Sequence, residues 1–206
     1  MKKFTYLLFA GLILAACGDK STSENASAAN EKVSYSYDAE NDVLEWTAFK
    51  FTEKTGVKGT FNTVEVSSIS EAKTAEDLVA SLSFKISTES VETQNPERNG
   101  KISKFFFGTI NTPEITGKLQ ELRKDGKAGF EINMNGKKVI LFGDYTLSDE
   151  LFTFKATLDV AAWDAIGGIE ALNKECKDLH TSTDGVSKLW PEVEINLSAP
   201  IIKKVL

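Results

Sequence analysis

Two side chains in the C-terminal part of the chain have the types and spacing that chemistry needs. Cys176 and His180 stand four residues apart, the interval that places two side chains on one face of a helix, and Asp178 lies between them. A thiol and an imidazole so placed could share a metal ion or act as nucleophile and base. A metal site needs three or four ligands, however, and His180 is the chain's single histidine. Cys176 also falls on the apolar stripe of its segment, where a cysteine behaves as a small hydrophobe. No Gly-x-Ser-x-Gly elbow occurs, and the histidine lies in a polar stretch, so a serine triad of that kind is excluded. The expectation is a protein with no catalytic residues, no metal and no cofactor.

The other cysteine has a different setting. Met1, Lys2 and Lys3 precede an apolar run from Phe4 to Leu14, and the small residues Ala15 and Ala16 stand directly before Cys17. A basic start, a short apolar run and a small-residue cleavage site form an export signal, and the run falls short of the about 20 residues that span a bilayer. Leu14-Ala15-Ala16-Cys17 resembles the lipobox of bacterial lipoproteins. That resemblance implies cleavage before Cys17 and attachment there of a thioether-linked lipid bearing several acyl chains, palmitate among them. One chain alone would hold a membrane only marginally. Cys176 is then left without an intramolecular disulfide partner, so the fold must rest on its core. Residues 1–16 read as signal peptide and residues 17–32, rich in Ser, Ala, Asn and charge, as a tether that cannot repay the entropy of ordering it. Residues 33–206 are long enough for one domain with a real core.

The formal net charge is −6 over 206 residues, and losing the signal removes two lysines and makes the remainder more acidic still. Nucleic acid is therefore disfavoured as a partner.

Past the tether the spacing of apolar residues is mostly two, which sends alternate side chains to opposite faces of a sheet. Leu82, Phe84 and Ile86 alternate in this way, as do Val57, Gly59 and Phe61; Phe130, Ile132 and Met134; Val139, Leu141 and Gly143; and Val193, Ile195 and Leu197. Asp125-Gly126 and Asn135-Gly136 tolerate the positive φ angles of tight hairpins, and Ser148-Asp149 also parts two strand-like runs. Strands from about Ile115 to Val160 should form a meander. Upstream, Asn41-Asp42 and Lys54-Thr55-Gly56 separate strands expected over Val33 to Tyr37, Val43 to Thr52 and Val57 to Val66. Eight or nine strands point to an all-β fold, an antiparallel β-barrel of about eight strands, since closure removes exposed edges.

One or two short α-helices interrupt the pattern. Asn95 can cap a helix over Asn95 to Phe106 with Pro96 in its first turn and Ile102, Phe105 and Phe106 on one face. From Ala162 to Leu179 the apolar positions 162, 165, 166, 169, 172, 176 and 179 follow helical spacing, although Gly167 and Gly168 weaken it. Trp190, before Pro191 and the last strand, should anchor the closing of the barrel.

Leu44-Glu45-Trp46-Thr47-Ala48-Phe49-Lys50, with Lys54-Thr55-Gly56-Val57-Lys58-Gly59-Thr60-Phe61, resembles the opening strands of the YceI-like family of secreted bacterial proteins. Arg98-Asn99-Gly100-Lys101-Ile102-Ser103-Lys104-Phe105-Phe106 and Pro113-Glu114-Ile115 resemble a second stretch of that family. Asn99 stands where the family usually has Asp, Gly117 where Phe is common, and Thr55 where many members have His. The resemblance spans about Tyr35 to the C-terminus. It implies a lipocalin-like barrel enclosing a long apolar chain such as a polyisoprenoid, an isoprenoid quinone or a fatty amide. It also implies a lipid-anchored place in the cell envelope, at an outer membrane facing the periplasm. A second copy of the chain is a further candidate partner.

The expected lining of such a cavity is Trp46, Phe61, Leu82, Phe84, Phe105, Phe106, Phe130, Ile132, Met134, Phe152 and Phe154, with Cys17 the lipidation site. Three consecutive phenylalanines, 105 to 107, cannot all face one way, so at least one should stand at a barrel mouth. The alternative from the residues alone is a barrel filled by its own side chains and serving as an envelope scaffold, because about eight strands enclose either a packed interior or one small ligand.

Overall fold

The computed structural model describes residues 32–206. The signal, Cys17 and nearly all of the tether lie outside the described residues. Among these residues no helix is long and apolar enough to cross a membrane.

The strands are β1 (Val33–Tyr37), β2 (Val43–Lys50), β3 (Thr55–Phe61), β4 (Val64–Ser67), β5 (Ser83–Ser87), β6 (Val91–Glu92), β7 (Glu114–Leu122), β8 (Lys127–Met134), β9 (Lys137–Leu147), β10 (Leu151–Asp159) and β11 (Leu189–Val205). They pair in the order β4-β5-β7-β8-β9-β10-β11-β2-β3-β6, all antiparallel. The two ends of this path are one piece of chain. β3 and β4 are joined by Asn62 and Thr63 alone, and their partners β6 and β5 are joined by a single turn, Thr88–Ser90. Hydrogen bonds from Asn62 N to Ser90 O and from Ser87 N to Thr63 O carry the pairing across the bend. Counting each bent pair once, the sheet closes on itself with eight staves, the expected all-β, lipocalin-like barrel. β1 lies outside the ring and extends it by pairing with the far end of β11, Val33 opposite Val205 and Tyr37 opposite Ile201.

Local chemistry accounts for the hairpins. Gly126 has φ +81, and Asn135 and Gly136 have φ 52 and 68, the left-handed pair that matches the twist of the flanking strands. Gly59 and Gly117 serve closeness instead. Each faces an aromatic residue across the sheet, Trp46 and Phe84 respectively. A β-carbon built on Gly59 would stand 2.2 Å from the Trp46 ring, and one on Gly117 would stand 2.3 Å from the Phe84 ring. Both rings therefore lie over the bare backbone of the glycine they face.

The helices differ from expectation in instructive ways. A short helix α1 (Ala75–Ala80) was not anticipated; Thr74 caps it by accepting from Asp77 N, and Leu78 and Val79 are buried. Asn95 caps α2 (Pro96–Lys101) as expected, by accepting from Arg98 N. The chain then widens to a π-type turn over Ile102–Phe107, with Gly108 N donating to Ser103 O. That extra residue turns Phe106 and Phe107 inward and leaves Phe105 half-exposed beneath the Lys104 ammonium. The helix expected over Ala162 to Leu179 is broken into three. Trp163 is drawn into the barrel at the end of a 3-10 turn, Val160–Trp163, and Asp164 takes φ 56, which ends that turn. The helix α3 (Ile166–Glu175) restarts beyond it, and a second 3-10 turn, Lys177–His180, follows. Of the apolar stripe, Ala165 and Cys176 are buried, Ile169 and Leu172 half-buried, and Ala162, Ile166 and Leu179 exposed. Gly168 lets α3 cross close to Phe106, where a β-carbon would come within 2.7 Å of the ring.

Candidate functional site

The barrel interior is part packed and part hollow. Around the meander, Phe130, Phe152 and Phe154 stack through ring contacts of 4.8 and 6.4 Å, and Tyr145 closes on Phe152 at 6.1 Å. Against these rings, inside the barrel, lies a cavity of about 140 Å³ lined by Leu44, Trp46, Phe61, Leu82, Phe84, Ile86, Phe130, Ile132, Leu158, Trp163, Ile195 and Leu197. Its polar neighbours are Tyr37, Asp42 and Ser83. Tyr37 donates its hydroxyl hydrogen bond to Asp42, and burial, then that bond, push the phenol above its ordinary range.

A second apolar cavity of about 160 Å³ continues toward α3. Trp46, Phe61, Ile115, Met134, Leu158 and Ile195 belong to the walls of both, so only these side chains part the two lobes. The second lobe is completed by Phe49, Ile102, Phe106, Phe107, Ile169, Leu172 and Trp190. The Trp190 indole donates to Phe51 O at 2.7 Å, which fixes the ring at the start of β11 as a closing anchor. Together the lobes reach the lower end of the about 300–1,000 Å³ usual for small-molecule sites.

The second lobe shares Trp46, Ala48, Phe49, Ile102, Leu172 and Leu189 with a vestibule of about 260 Å³. Here the walls turn polar: Lys50 from β2, Asn95, Glu97, Arg98 and Lys101 from α2 and its cap, and Cys176 and His180 beyond α3. Cys176 and His180 thus do come to one place. Burial pushes the Cys176 thiol up, which keeps it protonated at neutral pH. His180 is held by Asn173, whose Oδ1 is 3.1 Å from Nδ1 and also accepts from Ser187 Oγ, so the imidazole donates from Nδ1. Among the described residues no three His, Cys, Asp or Glu side chains are placed to hold a metal.

Burial, and then the charges of Lys50 and Lys101, push the His180 imidazole from its ordinary 6.5 down to about 4. The unfolded chain therefore binds a proton between those values that the folded chain does not. The stability contributed is full above about pH 6.5 and is lost as pH falls toward 4, by on the order of 2 kcal/mol once solvent at a half-buried ring is allowed for. Urea unfolding at pH 7 and 4.5 should show His180→Asn losing less stability than the parent over that interval. Equal losses would place the pH dependence elsewhere.

Of the residues expected to line a cavity, Trp46, Phe61, Leu82, Phe84, Phe130, Ile132, Met134 and Phe154 stand on the first lobe and Phe106 on the second. Phe105 and Phe152 do not: the π-type turn sends Phe105 outward, and Phe152 is fully buried in the packed half. Phe107, Ile115, Leu158, Trp163 and Ile195 were missed. Leu158 and Ile195 lie in runs with a readable alternation, which could have found them; Trp163 stands off the apolar stripe, and no spacing marks it.

A YceI-like domain model matches residues 35–200. No curated protein matches the chain. Among solved structures, a polyisoprenoid binding domain from Saccharophagus degradans, implicated in plant cell wall breakdown, is similar with a TM-score of 0.59 and 16% identity, over 84% of this chain and 98% of that one. BcnA of Burkholderia cenocepacia is similar with a TM-score of 0.52 and 12% identity, over 81% and 99%. At such identities the likeness is one of fold.

Proposed function

The chain belongs to the YceI-like family, and from that premise we propose that it is a lipid-anchored carrier whose barrel holds one long apolar chain, an isoprenoid or a comparable lipid. The carrying observation is the two-lobed apolar lumen inside the barrel, open space that could have been filled. Transfer of a chain from water into it is worth about 0.8 kcal/mol per methylene, so affinity rises with chain length until the lumen ends. The lipobox-like Leu14 to Cys17 supports anchoring at Cys17 in the cell envelope, and the family resemblance suggests an outer membrane facing the periplasm. Tethering beside a membrane suits such cargo. The reading assigns no catalytic step, in keeping with a buried, protonated Cys176 and a His180 occupied by Asn173.

All three tryptophans of the chain, Trp46, Trp163 and Trp190, stand on lumen walls. Their fluorescence therefore reports occupancy. Native mass spectrometry with solvent extraction, on protein purified without detergent from its own host, should find an apolar molecule at about one per chain. Added polyprenyl alcohols should change the fluorescence saturably. A clean apo mass with no response to added lipid would favour the alternative, an envelope scaffold without small ligand.

A further inference from the structure

The vestibule carries more positive charge than it neutralises. Lys50, Arg98 and Lys101 line it with a single carboxylate, Glu97. Glu97 is taken by Lys101 at 2.8 Å. Lys50 reaches only a carbonyl, Leu179 O at 3.1 Å, and the ring of Phe51. Arg98, among the described residues, forms no ion pair and no side-chain hydrogen bond; only its backbone is engaged, its N–H at the α2 cap and its carbonyl by Ile102 N. Elsewhere several surface lysines sit beside acids, as Lys58 with Glu45 and Lys127 with Asp144 do, and the chain as a whole is acidic. Two cations without a carboxylate partner thus stand together at the polar end of an apolar lumen, in a chain that is acidic overall. Burial, then the Arg98 charge, depress the Lys50 ammonium, so the two cations lie near enough to disfavour one another.

Resting on the carrier reading, we infer that the cargo is an amphiphile with an anionic head of the phosphate class, its tail in the lobes and its head between Lys50 and Arg98. Two uncompensated positive charges match the double charge of a phosphate monoester better than the single charge of a carboxylate. An arginine fork meets phosphate oxygens with paired hydrogen bonds, and a lysine beside it supplies a point charge. His180, on the same wall, gains from the arriving anion an attraction for its own proton that the vacant vestibule denies it.

The test titrates the purified full chain with geranylgeranyl phosphate, geranylgeraniol and a saturated C20 fatty acid, read by tryptophan fluorescence. The phosphate should bind at least tenfold tighter than the alcohol at low salt, with the acid between them. Arg98→Gln changes an exposed side chain, so it should fold normally. Combined with Lys50→Gln, it should erase the preference for phosphate while moving the alcohol's affinity less than twofold. The lone imidazole, followed by NMR, should titrate at higher pH with the phosphate bound and not with the alcohol. Equal affinity for phosphate and alcohol, an acid that matches the phosphate, or a preference that survives the double variant would each overturn the inference and leave the carrier reading standing. Failure of all three compounds to bind would overturn both.

Discussion

Replacing Trp163 by alanine should lower the free energy of unfolding by about 4 kcal/mol, within the range found when a large aromatic is cut from a core. Trp163 is 1% exposed. Its indole Nε1 donates to Ile132 O at 3.0 Å, and its own carbonyl accepts from Asn135 Nδ2 at 2.9 Å. The side chain closes one end of the first lobe and is pinned to the β8–β9 hairpin that the Asn135-Gly136 turn creates. Alanine would remove the ring, extend the lobe and leave the Ile132 carbonyl without its indole partner. Trp163→Phe keeps most of the apolar volume and loses only the bond, so about 1–2 kcal/mol should go. Urea denaturation of both variants checks the order. A Trp163→Ala loss below about 1 kcal/mol would mean that the barrel end collapses onto the gap.

Much of the barrel could be read from local pattern because its causes are local. Alternation in Phe130, Ile132 and Met134 sets the inward face of β8, and Asp125-Gly126 and Asn135-Gly136 set its two turns. The closure of the ring is different. It depends on the bends at Asn62-Thr63 and Thr88–Ser90, which keep one pair of strands together through a change of direction. A continuous strand from Val57 to Val66 is what period two alone implies. The helix expected across Trp163 failed because burying the indole outweighed helix continuity. Helix α1 does carry a local signal, Thr74 followed by Asp77 ahead of Leu78 and Val79, within a span too short for helical periodicity to show.

The site was legible by halves for the same reason. Wall residues on regular strands follow from alternation, whereas the choice of Phe106 and Phe107 over Phe105 depends on a π-type turn set by packing against α3. Lys50, Arg98 and Lys101 show no spacing that links them, because β2 and α2 meet only once the barrel has closed. Cys176 and His180 did show one, and they line the vestibule in which those cations gather. Their spacing admits a metal or a nucleophile, and their types and number argue for neither. What surrounds them instead is unmatched positive charge.

Placing a large ring at the waist of the lumen should abolish cargo binding at almost no expense in stability. Ile195 lies on β11 between Ala156 of β10 and Trp46 of β2, half-buried, and forms part of both lobes. Enlarging a well-packed core residue ordinarily costs about 1–3 kcal/mol through strain. Here the added atoms of Ile195→Trp enter space that is already open, and unfolding free energy should shift by less than about 1 kcal/mol. The bound chain, by contrast, would be cut off from one lobe. Loss of contact for even four methylenes removes about 3 kcal/mol, more than a hundredfold in affinity. Native mass spectrometry of the variant should show the apo mass under conditions that load the parent, with circular dichroism unchanged. Ile195→Ala widens the same waist and should bind at least as tightly as the parent despite being less stable. Undiminished loading of Ile195→Trp would mean that cargo lies outside the barrel, and the lumen would then be a packing defect rather than a site.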